Sequence, residues 1–237
     1  MSKEKVITKD MIFEEASRYI ADENIALIRK AYDYAEKHHE GQFRKSGEPY
    51  IIHAIAVGYI LATINAGPKT IAAGLLHDVL EDCDVTREQM VEDFGEEITT
   101  LVEAVTKIGN IQFKDEKEYL AANHRKIFIA MAKDVRVILI KLVDRLHNMR
   151  TLQYMKPEKQ KKIATETLEV YAPIAHRLGI SEIKNELEDL CFFYLNPTRY
   201  HEIAHLVEVK KGERAKMVDQ MIHDISEMLD EQHFQYR

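Results

Sequence analysis

The sequence predicts an all-α protein, and three observations carry that expectation. Gly and Pro together supply only 14 of the 237 residues, about half the usual share. Hydrophobic residues make up 46% and charged residues 31%, which suits a sizeable core and excludes a disordered chain. Strand signals are nearly absent. Only VRVIL at 135–139 is β-branched enough to suggest one, and its flanks have helical spacing.

The elements follow from single Gly and Pro residues, because no repeat, low-complexity tract or Ser/Gly linker is present. Helical spacing runs from Lys9 to Ile20 and again from Ile25 to His39, stopping before Gly41. GQFRKSGEPY, 41–50, has loop composition, and Pro49 suits the start of the apolar segment that follows. Pro68 fits the first position of a helix expected to continue to about Asp82. Thr86 with Gln89 forms a capping-box pattern, and Gly95 ends that short helix. A further segment ends at Gly109, and the polar stretch 110–118 reads as a mobile loop. Helices are then expected at 123–131 and 134–152. Pro157 opens the next, Gly179 closes its successor, and Ser181 caps one through Tyr194 before Asn196-Pro197 interrupts the pattern.

Charge and cysteine content narrow the function. A net charge of −7 argues against generic nucleic-acid binding, yet a few local cations or a metal can reverse the field in one cleft. Cys83 and Cys191 are too few for a disulfide framework, and MSKEKVITKD contains no signal peptide, so a cytoplasmic protein is expected. The run from Ile51 to Pro68 lacks Lys, Arg, Asp and Glu, but His53, Thr63, Asn65 and two glycines mark it as a buried helix rather than a membrane span.

Three segments carry candidate chemistry. In LLHDVLED, 75–82, a continuous helix would place His77, Glu81, Asp78 and Asp82 at roughly 0°, 40°, 100° and 140° around its axis. Three carboxylates on the edge of an apolar helix call for a cation, and a divalent metal is the simplest one. His223-Asp224 repeats the dipeptide in the polar C-terminal segment and is expected to be a solvated coincidence. In DVRVILIKLVDRLHNMRTL, 134–152, Asp144, Asn148 and Thr151 form one stripe. Asp144 is either a metal ligand or the partner of Lys141, Arg145 or a helix terminus, and His147 falls about 60° off the stripe by helical geometry. In RKSGEPYIIH, 44–53, Arg44 and Lys45 suit phosphate binding or a solvated pair, and His53 suits a metal or an ordinary core position.

RKSGEPYIIH, GLLHDVLED, AVTKI, KLVDRLHNMRTL and YAPIAHRLGISEIKNELEDL, in that order, closely resemble the N-terminal hydrolase domain of the RelA/SpoT homologues, members of the HD superfamily of metal-dependent phosphohydrolases. The likeness covers about residues 1–200 and implies an all-α HD-domain bundle of about ten or more helices. It implies hydrolysis of the 3′-pyrophosphate of (p)ppGpp to GDP or GTP and pyrophosphate, ending the stringent response. His53, His77, Asp78 and Asp144 would hold one Mn2+, Glu81 and Asp82 would position and deprotonate the attacking water, and Arg44, Lys45, Asn148 and Thr151 would contact the guanine nucleotide.

Two positions depart from the family pattern: Ala54 stands where Pro is usual, and Val143 where Ala is usual. By the same resemblance, residues 1–195 form the hydrolase domain. Residues 196–237 would form a helical connection and the start of a synthetase domain, with HFQYR leading into its first strand. The chain is thus expected to be a fragment of a bifunctional synthetase/hydrolase that degrades the alarmone without making it, with a possible contact to that further domain and no nucleic-acid or membrane partner. The alternatives are another HD nucleotide phosphohydrolase and a catalytically silent nucleotide-binding regulatory module.

Overall fold

The computed structural model describes residues 7–109, 133–231 and 234, and among them no strand occurs. The expected loop at 110–118, the helix at 123–131 and most of HFQYR lie outside the described residues. The chain divides into two compact units, Met1–Cys191 and Phe192–Arg237.

In the first unit, α1 (Lys9–Ser17), α2 (Asp22–His38), α3 (Ile51–Thr63) and α4 (Pro68–Leu76) build the centre. A short α5 (Val79–Asp82) leads to α6 (Arg87–Gly109), and α7 (Val135–Arg150) packs against α3, α4 and α6. A 3-10 turn at Leu152–Tyr154 precedes α8 (Pro157–Glu166), a π-turn (Thr167–Tyr171), α9 (Ala172–Arg177) and α10 (Ser181–Leu195). The second unit is carried by α11 (Pro197–Glu231). No helix of the described residues is long and apolar enough to cross a membrane.

Local signals place most of these ends. Pro68 opens α4 and Pro157 opens α8, where a missing N–H costs nothing. The Thr86 N–H donates to Gln89 Oε1 at 2.9 Å and the Gln89 N–H to Thr86 Oγ1 at 3.3 Å, a reciprocal capping box. Gly95, at φ 79°, breaks α6 where a helix end is expected. VRVIL is helical, and Asp134 caps α7 by accepting from the Arg136 N–H.

Three features were not expected. The helix from Pro68 does not reach Asp82 unbroken: His77 and Asp78 form a turn between α4 and α5. The angular placement of the four acidic and imidazole groups around one axis therefore does not hold. The 41–50 loop is a small hairpin, with the Arg44 N–H donating to Glu48 O and Tyr50 N–H to Gln42 O, both at 2.9 Å, and Gly47 at φ 87° closing the turn. The π-turn ends two residues before Pro173, whose missing N–H cannot donate to the carbonyl of Glu169.

Packing of α3 on α4 sets the distance between their chemistry-bearing ends. α3 is buried over most of its circumference, including His53, so it must be covered on several sides. A Cβ on Gly74 would stand 2.2 Å from Leu61 Cδ1, and one on Gly58 2.8 Å from Leu75 Cδ2. Both glycines permit a close approach, and a larger side chain at either would force the buried Leu61 or Leu75 to move. Gly74→Val is expected to lower stability by about 1–3 kcal/mol through overpacking, read as an earlier urea midpoint. Gly67→Ala, with nothing within 4 Å of the added carbon, should stay within about 0.5 kcal/mol of the parent. Equal stability of the two variants would contradict this account of the α3–α4 contact.

Candidate metal centre and nucleotide cavity

Four donor atoms meet between α3, the α4–α5 turn and α7. His53 Nε2 lies 3.3 Å from His77 Nε2, 3.6 Å from Asp78 Oδ2 and 3.3 Å from Asp144 Oδ1. His77 Nε2 lies 3.1 Å from Asp78 Oδ2 and 3.8 Å from Asp144 Oδ1. His53, His77 and Asp144 are buried and form a group whose donor atoms all fall within 4.8 Å of one another. Asp78 joins them through its contacts with both imidazoles, with its side chain 19% exposed. Donors held about 2.0–2.2 Å from one divalent ion stand about 2.8–3.6 Å apart in tetrahedral or octahedral geometry. The three buried donors stand 3.3, 3.3 and 3.8 Å apart, so His53, His77 and Asp144 fit a divalent metal, with Asp78 set against both imidazoles.

The surrounding hydrogen bonds orient these donors. His77 Nδ1–H donates to Gly74 O at 2.8 Å, which turns the lone pair of Nε2 inward. Lys141 Nζ lies 2.9 Å from Asp144 Oδ2, leaving Oδ1 toward the imidazoles. Both sequence readings of Asp144 are thus realised, one on each oxygen. Tyr50 Oη lies 2.6 Å from Asp78 Oδ2 and 3.0 Å from Asp82 Oδ2, tying the two acids together.

Titration follows from this crowding. Burial opposes charge on His77, but Asp78 and Asp144 outweigh it and push the imidazolium up to about 10. Burial lowers His53, and it lowers His147 further, to about 2, helped by His53 and Arg44. Burial would raise both aspartates, yet Lys141 beside Asp144 and His77 beside Asp78 hold them below the usual carboxylate range.

A cavity of about 420 Å³ opens beside this cluster. Among the described residues its lining holds five cations (Arg44, Lys45, Lys141, Arg145, Lys159) against two carboxylates, Asp144 and Glu166. A chain of net charge −7 thus presents a locally positive pocket, the condition for binding a polyanion. Arg44 Nη2 donates to Asn148 Oδ1 at 2.6 Å and Nη1 lies 3.0 Å from His147 Nδ1, so the hairpin is pinned onto α7. Asn148 Nδ2 donates in turn to Asp144 Oδ1 at 2.5 Å. Thr151 lines the same cavity and donates to His147 O.

Of the residues singled out from sequence, His53, His77, Asp78 and Asp144 converge, and Arg44, Lys45, Asn148 and Thr151 line the cavity. Glu81 and Asp82 sit on exposed positions of α5, with Asp82 drawn to the cluster through Tyr50. His223-Asp224 is exposed on α11, and Asp224 accepts a local bond from Gln220. Sequence reasoning assigned no role to Tyr50 or Tyr171 and read His147 as a packing or capping residue. Tyr50 and Tyr171 stand inside the quoted motifs, but their contacts reach across the fold: Arg145 lies 4.2 Å from the Tyr171 ring and pairs with Glu166 at 3.4 Å.

Comparison with known proteins identifies the family. The family model described as HD domain matches residues 31–181. Guanosine-3′,5′-bis(diphosphate) 3′-pyrophosphohydrolase of Vibrio cholerae is 47% identical over 222 residues, 94% of this chain and 32% of that protein. The bifunctional (p)ppGpp synthase/hydrolase SpoT of Escherichia coli K12 is 48% identical over 213 residues, 90% of this chain and 30% of that protein. The chain therefore spans about a third of the length of the curated relatives it matches. A solved structure of a metazoan SpoT orthologue that hydrolyses ppGpp superposes with a TM-score of 0.56 at 28% identity, covering 70% of this chain and 93% of that one.

A proton on His77 and a divalent ion compete for the same place among the four donors. With His77 at about 10, the ring is charged at pH 8, and metal binding must expel that proton. Calorimetric titration in buffers of different ionisation enthalpy should report release of about one proton per ion at pH 8, and weaker binding as the pH falls. Binding without proton release would contradict the arrangement.

Proposed function

Since this chain belongs to the HD-domain family, we propose that it hydrolyses the 3′-pyrophosphate of (p)ppGpp, giving GDP or GTP and pyrophosphate, with Mn2+ as the metal. The observation that carries this reading is the adjacency of the His53, His77 and Asp144 cluster to a cation-lined cavity. Its likeness to pyrophosphohydrolases at 47–48% identity supports the substrate class.

In this reading His53, His77, Asp78 and Asp144 ligate the metal. Bound there, the ion would acidify water and polarise a phosphoryl oxygen. Imidazole and carboxylate donors suit manganese, and also accept iron or zinc. Asp82, held through Tyr50 beside Asp78, and Glu81 on the preceding position form the acid pair that orients the attacking water and takes its proton. Arg44, Lys45, Asn148 and Thr151 receive the nucleotide. Arg44 and Lys45 offset the charge of a substrate with phosphates on both sides of its ribose, and Asn148 offers amide hydrogen-bonding capacity to the base. Lys141 and Arg145, though charged, are committed to Asp144 and to Glu166 and serve the shape of the wall.

Residues 1–195 would be the hydrolase domain, with 196–237 the connection toward a synthetase domain. A cytoplasmic setting suits the free thiols of Cys83 and Cys191. Turnover of ppGpp should require added Mn2+ and stop on chelation. Glu81→Gln with Asp82→Asn should reduce kcat by about 10²–10⁴ while Mn2+ still binds. Undiminished turnover by the double variant would refute the acid pair. Nucleotide binding by the Mn2+-loaded parent without any cleavage would favour a silent regulatory module instead.

A further inference from the structure

His147 touches both halves of the site without facing the four-donor centre. Its Nδ1 lies 3.0 Å from Arg44 Nη1 and 2.8 Å from His53 Nδ1. A guanidinium can only donate, so Nδ1 of His147 must accept and carries no proton. The contact with His53 is then a donation from His53 Nδ1–H, so the one lone pair of His147 Nδ1 is shared between two donors. A neutral His53 with its proton on Nδ1 leaves Nε2 as a bare lone pair, and Nε2 is the atom that faces His77 and Asp144 at 3.3 Å. Gly74 O, in the last turn of α4, holds the Nδ1 proton of His77 in the same way, so that loss of its other proton would bare Nε2. His53 obtains its tautomer from a side chain 94 positions along the chain.

Arg44 is thereby joined to two of the cluster's donors by parallel bridges. One runs through Asn148 to Asp144, the other through His147 to His53. We propose that His147 is a positioning residue that couples metal site and nucleotide cavity: its unprotonated Nδ1 selects the ligating tautomer of His53 and anchors Arg44 at the cavity wall. This rests on the metal-dependent reading above and adds to it a residue outside the ligand set. Partners that orient ligating imidazoles commonly govern metal affinity by about 10–100-fold.

The test separates the acceptor from the bulk of the ring. Asn places an amide oxygen near the position of Nδ1 but lacks the ring, whereas Phe keeps the ring and lacks the acceptor. Titrated with Mn2+ alone, His147→Phe should bind at least about tenfold more weakly than the parent, and His147→Asn within about threefold of it. The KM for ppGpp should rise in His147→Phe and recover in His147→Asn. Parental Mn2+ affinity in His147→Phe, or equal weakness of the two variants, would overturn the proposal. The tautomers are also readable in the unsubstituted protein, from long-range 1H–15N correlation spectra of the imidazole rings. The proton of His53 should appear on Nδ1 and that of His147 on Nε2, and the reverse pattern would overturn the proposal even if neither variant folds. Failure of the parent to bind Mn2+ would instead sink the metal-dependent reading, and the tautomer pattern would still decide the part played by His147.

Discussion

Two carboxylates and two imidazoles are held within 4 Å contacts of one another in the interior of a helical protein. Burying that many donors without a cation among them is strongly unfavourable. Lys141 supplies one positive charge on the outer oxygen of Asp144, and a proton on His77 supplies another at the centre. The remaining architecture serves to keep these groups together. Gly58 and Gly74 let α3 and α4 approach until His53 and His77 meet, and the turn at His77–Asp78 brings an aspartate to the same point. α7 delivers Asp144 just past its apolar first half, packed against α3 and α4.

The same helix connects that centre to the cavity. Asp144, His147, Asn148 and Thr151 follow one another along the end of α7, so a ligand-bearing turn becomes a cavity-lining turn within two helical repeats. The hairpin at 42–50 closes over it, with Arg44 bonded to Asn148 and His147. A metal and a polyphosphate would then meet at one edge, the geometry that phosphoryl chemistry requires. The positive lining also shows how an acidic chain can present a pocket suited to a polyanion. Overall charge governs long-range behaviour, whereas local charge governs the pocket.

Helix ends were the most legible part of the sequence because they are encoded by residues adjacent in the chain: Pro68, Pro157, Gly95, Gly179 and the Thr86–Gln89 pair. The break at His77–Asp78 was hidden because both residues keep right-handed helical dihedrals, and no Gly or Pro marks the spot. The hairpin was hidden because its pairing reduces to a single bridge between Phe43 and Pro49. The donor set was legible only through the family resemblance, since residue type and spacing left His53 either a metal ligand or a core residue and Asp144 either a ligand or the partner of a nearby cation. Tyr50 and His147 could not be read the same way. Their roles arise from contacts spanning 28 to 103 residues, and nothing local distinguishes them from ordinary packing residues.

The claim that organises all of this is that one divalent ion occupies the space between Nε2 of His53, Nε2 of His77, Oδ2 of Asp78 and Oδ1 of Asp144. Crystals grown with Mn2+ and measured near its absorption edge test it directly. The account requires a single strong anomalous peak about 2.0–2.3 Å from all four atoms. A peak displaced to the exposed carboxylates of α5, or none between the imidazoles, would contradict it.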